Sequence, residues 1–182
     1  MTGEEAVRYT RTAIALHWII AALLIGNIVL GLYHDSFGKA WTPWIMFVHK
    51  ATGMTVLALS LARLAWRLTH RPPAFDPVLK GWERGLAHFI HWLFYAMLIA
   101  IPLSGWLLSS SSGRATNFWG LFDIGPLPVG RSNHDFFEDA HELLGKAMIG
   151  LVLLHVAGAL KHHFGGHRHL MGRMAPWLYR TR

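Results

Sequence analysis

From Ala13 to Leu32 the chain runs for about 20 residues without a formal charge. As helix, at about 1.5 Å per residue, that is about 30 Å, the thickness of a bilayer's hydrocarbon core. Three comparable runs follow, at about 44–66, 85–108 and 137–160. Backbone in lipid has to satisfy its own hydrogen bonds, so each run is expected to span as a helix. Four spans with short connections use nearly all of the 182 residues. The expected fold is all-α: one domain over 1–182, a transmembrane up-down four-helix bundle. A cleaved signal peptide is the rival reading of the first run. The arm before it carries Glu4 and Glu5 as well as Arg8 and Arg11, and no small-x-small site follows the run.

Composition narrows the chemistry. Charged residues are 15%, against roughly 25% in soluble proteins. Cysteine is absent, which excludes disulfides, thiolate iron–sulfur clusters and covalently attached haem. Any metal centre must use His, Met or carboxylates, and there are 13 histidines. The net charge of +7 raises the question of nucleic acid, but its distribution points to a membrane instead. Call the side holding the N-terminus side A. With four spans it collects Arg8, Arg11, Arg63, Arg67, Arg71, Lys80, Arg84, Lys161, Arg168, Arg173, Arg180 and Arg182. Side B collects only Lys39, Lys50, Arg114, Arg131 and Lys146. The basic excess predicts both termini in the cytoplasm and removes the need for a nucleic-acid partner.

Ionisable groups inside spans are costly and read first as functional. His17 lies early in the first span and His49 early in the second. The fourth span carries His141 and His155, fourteen residues apart, so about 21 Å along one face. Up-down topology sorts these four by depth: His17 with His155 towards side A, His49 with His141 towards side B. Each level then offers two imidazoles from different helices, as a six-coordinate haem requires. We therefore expect two non-covalent haems b. A flat macrocycle also needs room beside each ligand. His49 has Gly53 at i+4, His141 has Gly145, His155 has Gly158 at i+3, and His17 has Ala21. His88 and His91, in the third span, have Trp92 and Tyr95 at i+4 and fail this test, although His88 shares the depth of His17. A zinc or copper site, or a metal transporter, would need three or four donors at one depth.

Other residues have two readings each. Arg11, Arg63, Arg67 and Lys161 would hold haem propionates on side A, or simply flank the membrane. Lys50 and Lys146 sit inside helices near side B. They would pair with propionates, with Glu142, or with an incoming anion, and Arg114 and Arg131 would add to that face. His162 follows His155 by seven residues and would reach a quinone carbonyl, or serve as an interfacial polar residue; His163, His167 and His169 extend a basic tail. Pro102 is expected to kink the third span, and 109–135 to form a loop whose Phe118, Trp119, Leu121 and Phe122 lie along the interface.

Several stretches resemble one family. They are Ala15-Leu-His17-Trp18, His49 with Gly53, Arg63-Leu-Ala-Trp-Arg67, Gly85-Leu-Ala-His88-Phe-Ile-His91, Ile101-Pro-Leu-Ser-Gly105, His141-Glu142 and Gly150-Leu-Val-Leu-Leu-His155. Leu160-Lys-His-His163 and Leu170-Met-Gly-Arg-Met-Ala-Pro176 complete the set. Across nearly its whole length the chain is similar to the bacterial cytochromes b561. The resemblance implies a di-haem inner-membrane protein with His17, His49, His141 and His155 as ligands. It also implies oxidation of superoxide on the periplasmic side, with electrons passed through both haems to ubiquinone, and His162 near the quinone. One feature of side B argues differently. Its five basic residues face Asp35, Asp123, Asp135, Glu138, Asp139 and Glu142, so any steering of superoxide relies on a local patch such as Lys50 and Lys146. The alternative is an electron-carrier subunit that takes electrons from a dehydrogenase or hydrogenase partner.

Overall fold

The computed structural model describes residues 8–179; Glu4, Glu5, Arg180 and Arg182 lie outside the described residues. Four long helices dominate: α1 (Arg11–Tyr33), α2 (Thr42–Thr69), α3 (Gly81–Ser111) and α4 (His134–Phe164). Each is long and apolar enough to cross a membrane. Their ends follow local chemistry. Thr10 caps α1 by accepting from the Ala13 N–H at 3.2 Å. Pro43 opens α2, where its missing N–H costs nothing. The Glu83 carboxylate accepts from the Lys80 N–H at 3.0 Å at the start of α3.

The helices alternate in direction. The start of α1 meets the end of α2 where Trp66 Nε1 donates to Thr10 Oγ1 at 3.0 Å. The end of α4 meets the start of α3 through Lys161 and Glu83, 2.8 Å apart. Two contacts fold the tail back onto the same end: Trp18 Nε1 donates to the Met174 carbonyl, and the Tyr9 N–H to that of Arg173. All of these mark side A. Helix α1 packs on α2, α2 on α3, and α3 on α4. Among the described residues, neither α1 nor α2 packs its backbone closely along α4. A small core of Ile20, Val56, Ile90, Met97, Leu98, Met148 and Leu151 ties the four together at mid-height. Outside it, Ile25, Val29, Leu143, Leu153 and Leu154 remain exposed, as lipid-facing residues should.

Two expectations change. Helix α3, with Pro102 inside it, continues to Ser111, three residues beyond the expected span. The stretch expected as plain loop contains a hairpin, β1 (Thr116–Phe118) paired antiparallel with β2 (Phe122–Ile124). Trp119 and Gly120 both have positive φ, the requirement of a tight hairpin turn of the primed kind. A tryptophan is strained there. Its Nε1–H donates to Thr55 Oγ1 at 2.9 Å and its ring meets Phe47 edge-on, which offsets the cost and pins the hairpin to α2. Leu121 and Phe122 stay exposed.

The tail, including the short helix α5 (Arg168–Gly172), docks on the loop between α2 and α3. Arg173 donates to the Ala74 carbonyl, and His169 Nε2 lies 3.0 Å from Asp76 Oδ2. The Val78 N–H and then His169 hold the Asp76 carboxyl below its ordinary range. A carboxyl depressed in this way stabilises the docked form above its unfolded pKa, and the contribution disappears as pH falls through the folded value. Tail docking is therefore expected to loosen below the ordinary aspartate pKa of about 3.9, as faster amide exchange over 166–175. Unchanged protection there at acid pH would rule this out.

Candidate haem-binding site

The four histidines meet as two pairs. The His17 and His155 rings have centroids 6.3 Å apart, and those of His49 and His141 6.1 Å apart. Two imidazoles on one metal, with metal–nitrogen bonds of about 2 Å, have ring centroids about 6 Å apart. Both pairs bridge to α4 from helices that do not pack along it, α1 in one case and α2 in the other. That separation is what a flat ligand between the helices requires. Among the described residues, no three His, Asp or Glu side chains gather to hold a metal ion.

The side-B pair is oriented through Nδ1. His49 Nδ1 lies 3.1 Å from the Asn27 carbonyl on α1. His141 Nδ1 lies 2.9 Å from Ser104 Oγ and 3.1 Å from the Ile101 carbonyl on α3. Imidazoles engaged through Nδ1–H leave Nε2 bare for a metal. Two glycines make these approaches possible. A Cβ at Gly31 would lie 3.1 Å from His49 Cε1, and one at Gly105 only 2.9 Å from His141 Cε1. These contacts were not read from the sequence. In the sequence Ile101-Pro-Leu-Ser-Gly105 carries the family resemblance, and its Pro102 an expected kink, but nothing marks it as a seat for His141; Gly31 carries no signal at all. The glycines that sequence spacing singled out behave differently. Gly145 and Gly158 face open space, and Gly53 faces Asn27 Nδ2 at 3.7 Å. The Asn27 Oδ1 atom is buried beside the side-B pair with no hydrogen-bond partner from the protein.

On side A, His155 sits between two other imidazoles: His91 lies 6.2 Å from it, nearly the distance of His17. His88 turns outwards, accepting from Trp92 Nε1 at 3.1 Å and facing Phe75. Of the two α3 histidines it is thus His91, not His88, that packs beside His155. Arg63 donates to the Ala13 carbonyl at 3.0 Å, and Arg67 lies over the Trp92 and Tyr95 rings. Both line a cavity of about 180 Å³ with Arg8 and Arg71. Arg11 is exposed at the start of α1 and is not part of that lining.

The structure does not bring Lys50 and Lys146 together. Lys50 is half-buried and donates to Ser109 Oγ at 3.2 Å, with Arg114 near enough to act on it. Lys146 is ion-paired with Glu142 on an exposed face of α4. His162 lines a second cavity, of about 280 Å³, with Lys80, Glu83, Lys161 and His167.

Known proteins align with this arrangement over most of its length. The family model for prokaryotic cytochrome b561 matches residues 8–177. The chain is 31% identical over 160 residues to cytochrome b561 homolog 2 of Escherichia coli, covering 86% of this chain and 85% of that one. It is 26% identical over 172 residues to the probable superoxide oxidase CybB of Yersinia pestis, covering 93% and 96%. It is 28% identical to cytochrome b562 of Cereibacter sphaeroides, covering 90% and 91%.

Proposed function

The chain belongs to the prokaryotic cytochrome b561 family, and on that premise we propose that it is a superoxide:ubiquinone oxidoreductase. It is a multi-pass bacterial membrane cytochrome of b type. The observation that carries the reading is the stack of two imidazole pairs at two depths, both reaching α4. In this reading His17 and His155 hold one haem, and His49 and His141 hold another. Bound haem supplies a centre that accepts and releases one electron at a time. The remaining work belongs to the chain.

With both termini in the cytoplasm, side B faces the periplasm. Lys50, backed by Arg114, attracts superoxide there; Lys146 contributes less because Glu142 neutralises it. Two superoxide anions leave as two molecules of oxygen and release two electrons. One ubiquinone takes those electrons and two protons to become ubiquinol. His162 donates a hydrogen bond to a quinone carbonyl in the cavity beside α4 and relays protons to it. Arg63 and Arg67, which line the side-A cavity, would neutralise the propionates of a haem bound there. The test is anaerobic: superoxide should reduce the haem of the purified protein, and ubiquinone should reoxidise it. His162→Ala should slow the second phase about tenfold or more and leave the first unchanged. Wild-type protein with its haem but no superoxide-dependent quinone reduction would end this reading.

One observation favours a second reading. Side B has no positive excess, and its hairpin exposes Leu121 and Phe122. Such a face suits a protein donor, as for the haem subunit of a dehydrogenase or hydrogenase. A stable monomer with intrinsic superoxide-dependent activity would count against it.

A further inference from the structure

The two imidazole pairs are treated differently by the chain. On side B every ring is held by a carbonyl. The tautomer of His141 follows from counting protons. Ser104 donates its hydroxyl proton to the Ile101 carbonyl at 2.8 Å, so Ser104 Oγ can only accept from His141 Nδ1–H. The same Nδ1–H is shared with the Ile101 carbonyl. His49 donates through Nδ1 to Asn27. An imidazole that donates in this way is more basic at its other nitrogen.

On side A, among the described residues, neither His17 nor His155 makes a side-chain hydrogen bond. A cation stands there instead. Arg63 is fixed to the Ala13 carbonyl, one helical turn before His17 on α1, which sets its charge on the side-A level. Lys50 adjoins His49 in the chain on side B, but its ammonium is tied to Ser109 Oγ on α3 at 3.2 Å. A more basic ligand favours oxidised iron, and a nearby positive charge favours reduced iron. The two differences therefore act in the same direction.

We propose that these contacts order the haem potentials, with the side-B haem lower, so that electrons run downhill from side B to side A. Ser104, the Asn27 and Ile101 carbonyls and Arg63 are the positioning and tuning groups. The ordering rests on the two-haem reading above. The test is a spectroelectrochemical titration of the full-length protein with its haem, with the haem-to-protein ratio measured in parallel. Wild type should give two steps. Gly105→Ala pushes a Cβ into His141 and should remove the lower step, halving the haem content. Arg63→Gln should move the higher step down and leave the lower one in place. If Gly105→Ala removes the higher step, or Arg63→Gln moves the lower, the ordering is wrong. The Arg63→Gln result decides the matter even if Gly105→Ala does not assemble. One haem per wild-type chain would overturn the two-haem reading itself, and the ordering with it. Two haems with no superoxide-dependent activity would leave the ordering intact and remove only the proposed substrate.

Discussion

Replacing His155 with alanine is expected to halve the haem content of a two-haem protein and to leave the remaining haem with its six-coordinate spectrum. His155 is the hub of the side-A cluster: His17, His91 and Phe94 all pack around its ring. Without it, His17 and His91 are left on separate helices with no partner on α4. The side-B pair lies about 21 Å away along α4 and keeps both of its ligands. The same experiment separates the two histidines that compete for His155. His17→Ala should cost the side-A haem, whereas His91→Ala and His88→Ala should keep two haems per chain. The reverse result, loss with His91→Ala and retention with His17→Ala, would reassign the ligand to α3. Haem extraction against protein concentration reads all four variants without any assay of activity.

The second large effect comes from glycine. Gly105→Ala places a Cβ 2.9 Å from His141 Cε1, closer than real contacts allow. The ring cannot swing away cheaply, because Nδ1 is held by Ser104 and Ile101. Overpacking of this kind costs about 1–3 kcal/mol, and we expect it to appear as lost apoprotein stability together with lost side-B haem. Gly31→Ala, at 3.1 Å from His49, should do the same more mildly. Gly145→Ala and Gly158→Ala make an instructive contrast. An added methyl there meets nothing within 4 Å beyond its own stretch of helix, and alanine suits a helix better than glycine, so the apoprotein should be at least as stable as wild type. Haem retention should still fall if the open space is where the macrocycle lies. Equal apoprotein destabilisation by Gly105→Ala and Gly145→Ala would contradict this division.

The reasons for what was legible are physical. Lipid forbids unpaired backbone, so 20-residue apolar runs such as Ala13–Leu32 allow little besides helix. Depth then follows from counting residues along a span, which is how His17, His49, His141 and His155 sorted into levels. Packing was harder to read. Spacing along one helix points to room beside each ligand one turn away, at Gly53, Gly145 and Gly158. The tight approaches instead come from neighbouring helices, Gly31 against His49 and Gly105 against His141. The i+4 test placed Tyr95 beside His91, yet the structure sets the His91 ring next to His155. Residue type alone puts Trp119 at the interface; its hydrogen bond to Thr55 depends on a turn that only the folded hairpin forms.

What the sequence determined by itself is the number of spans, their alternation and the depth of each histidine, because one-dimensional spacing becomes height when helices stand across a fixed thickness. What the tertiary structure decided is rotation and neighbourhood: that α1 and α2 stand off from α4, that Ser104 and two carbonyls seat the side-B rings, and that Lys146 turns to Glu142. Those depend on how each helix is turned about its axis. In lipid no hydrophobic stripe dictates that turn, and it is set only by the contacts between helices.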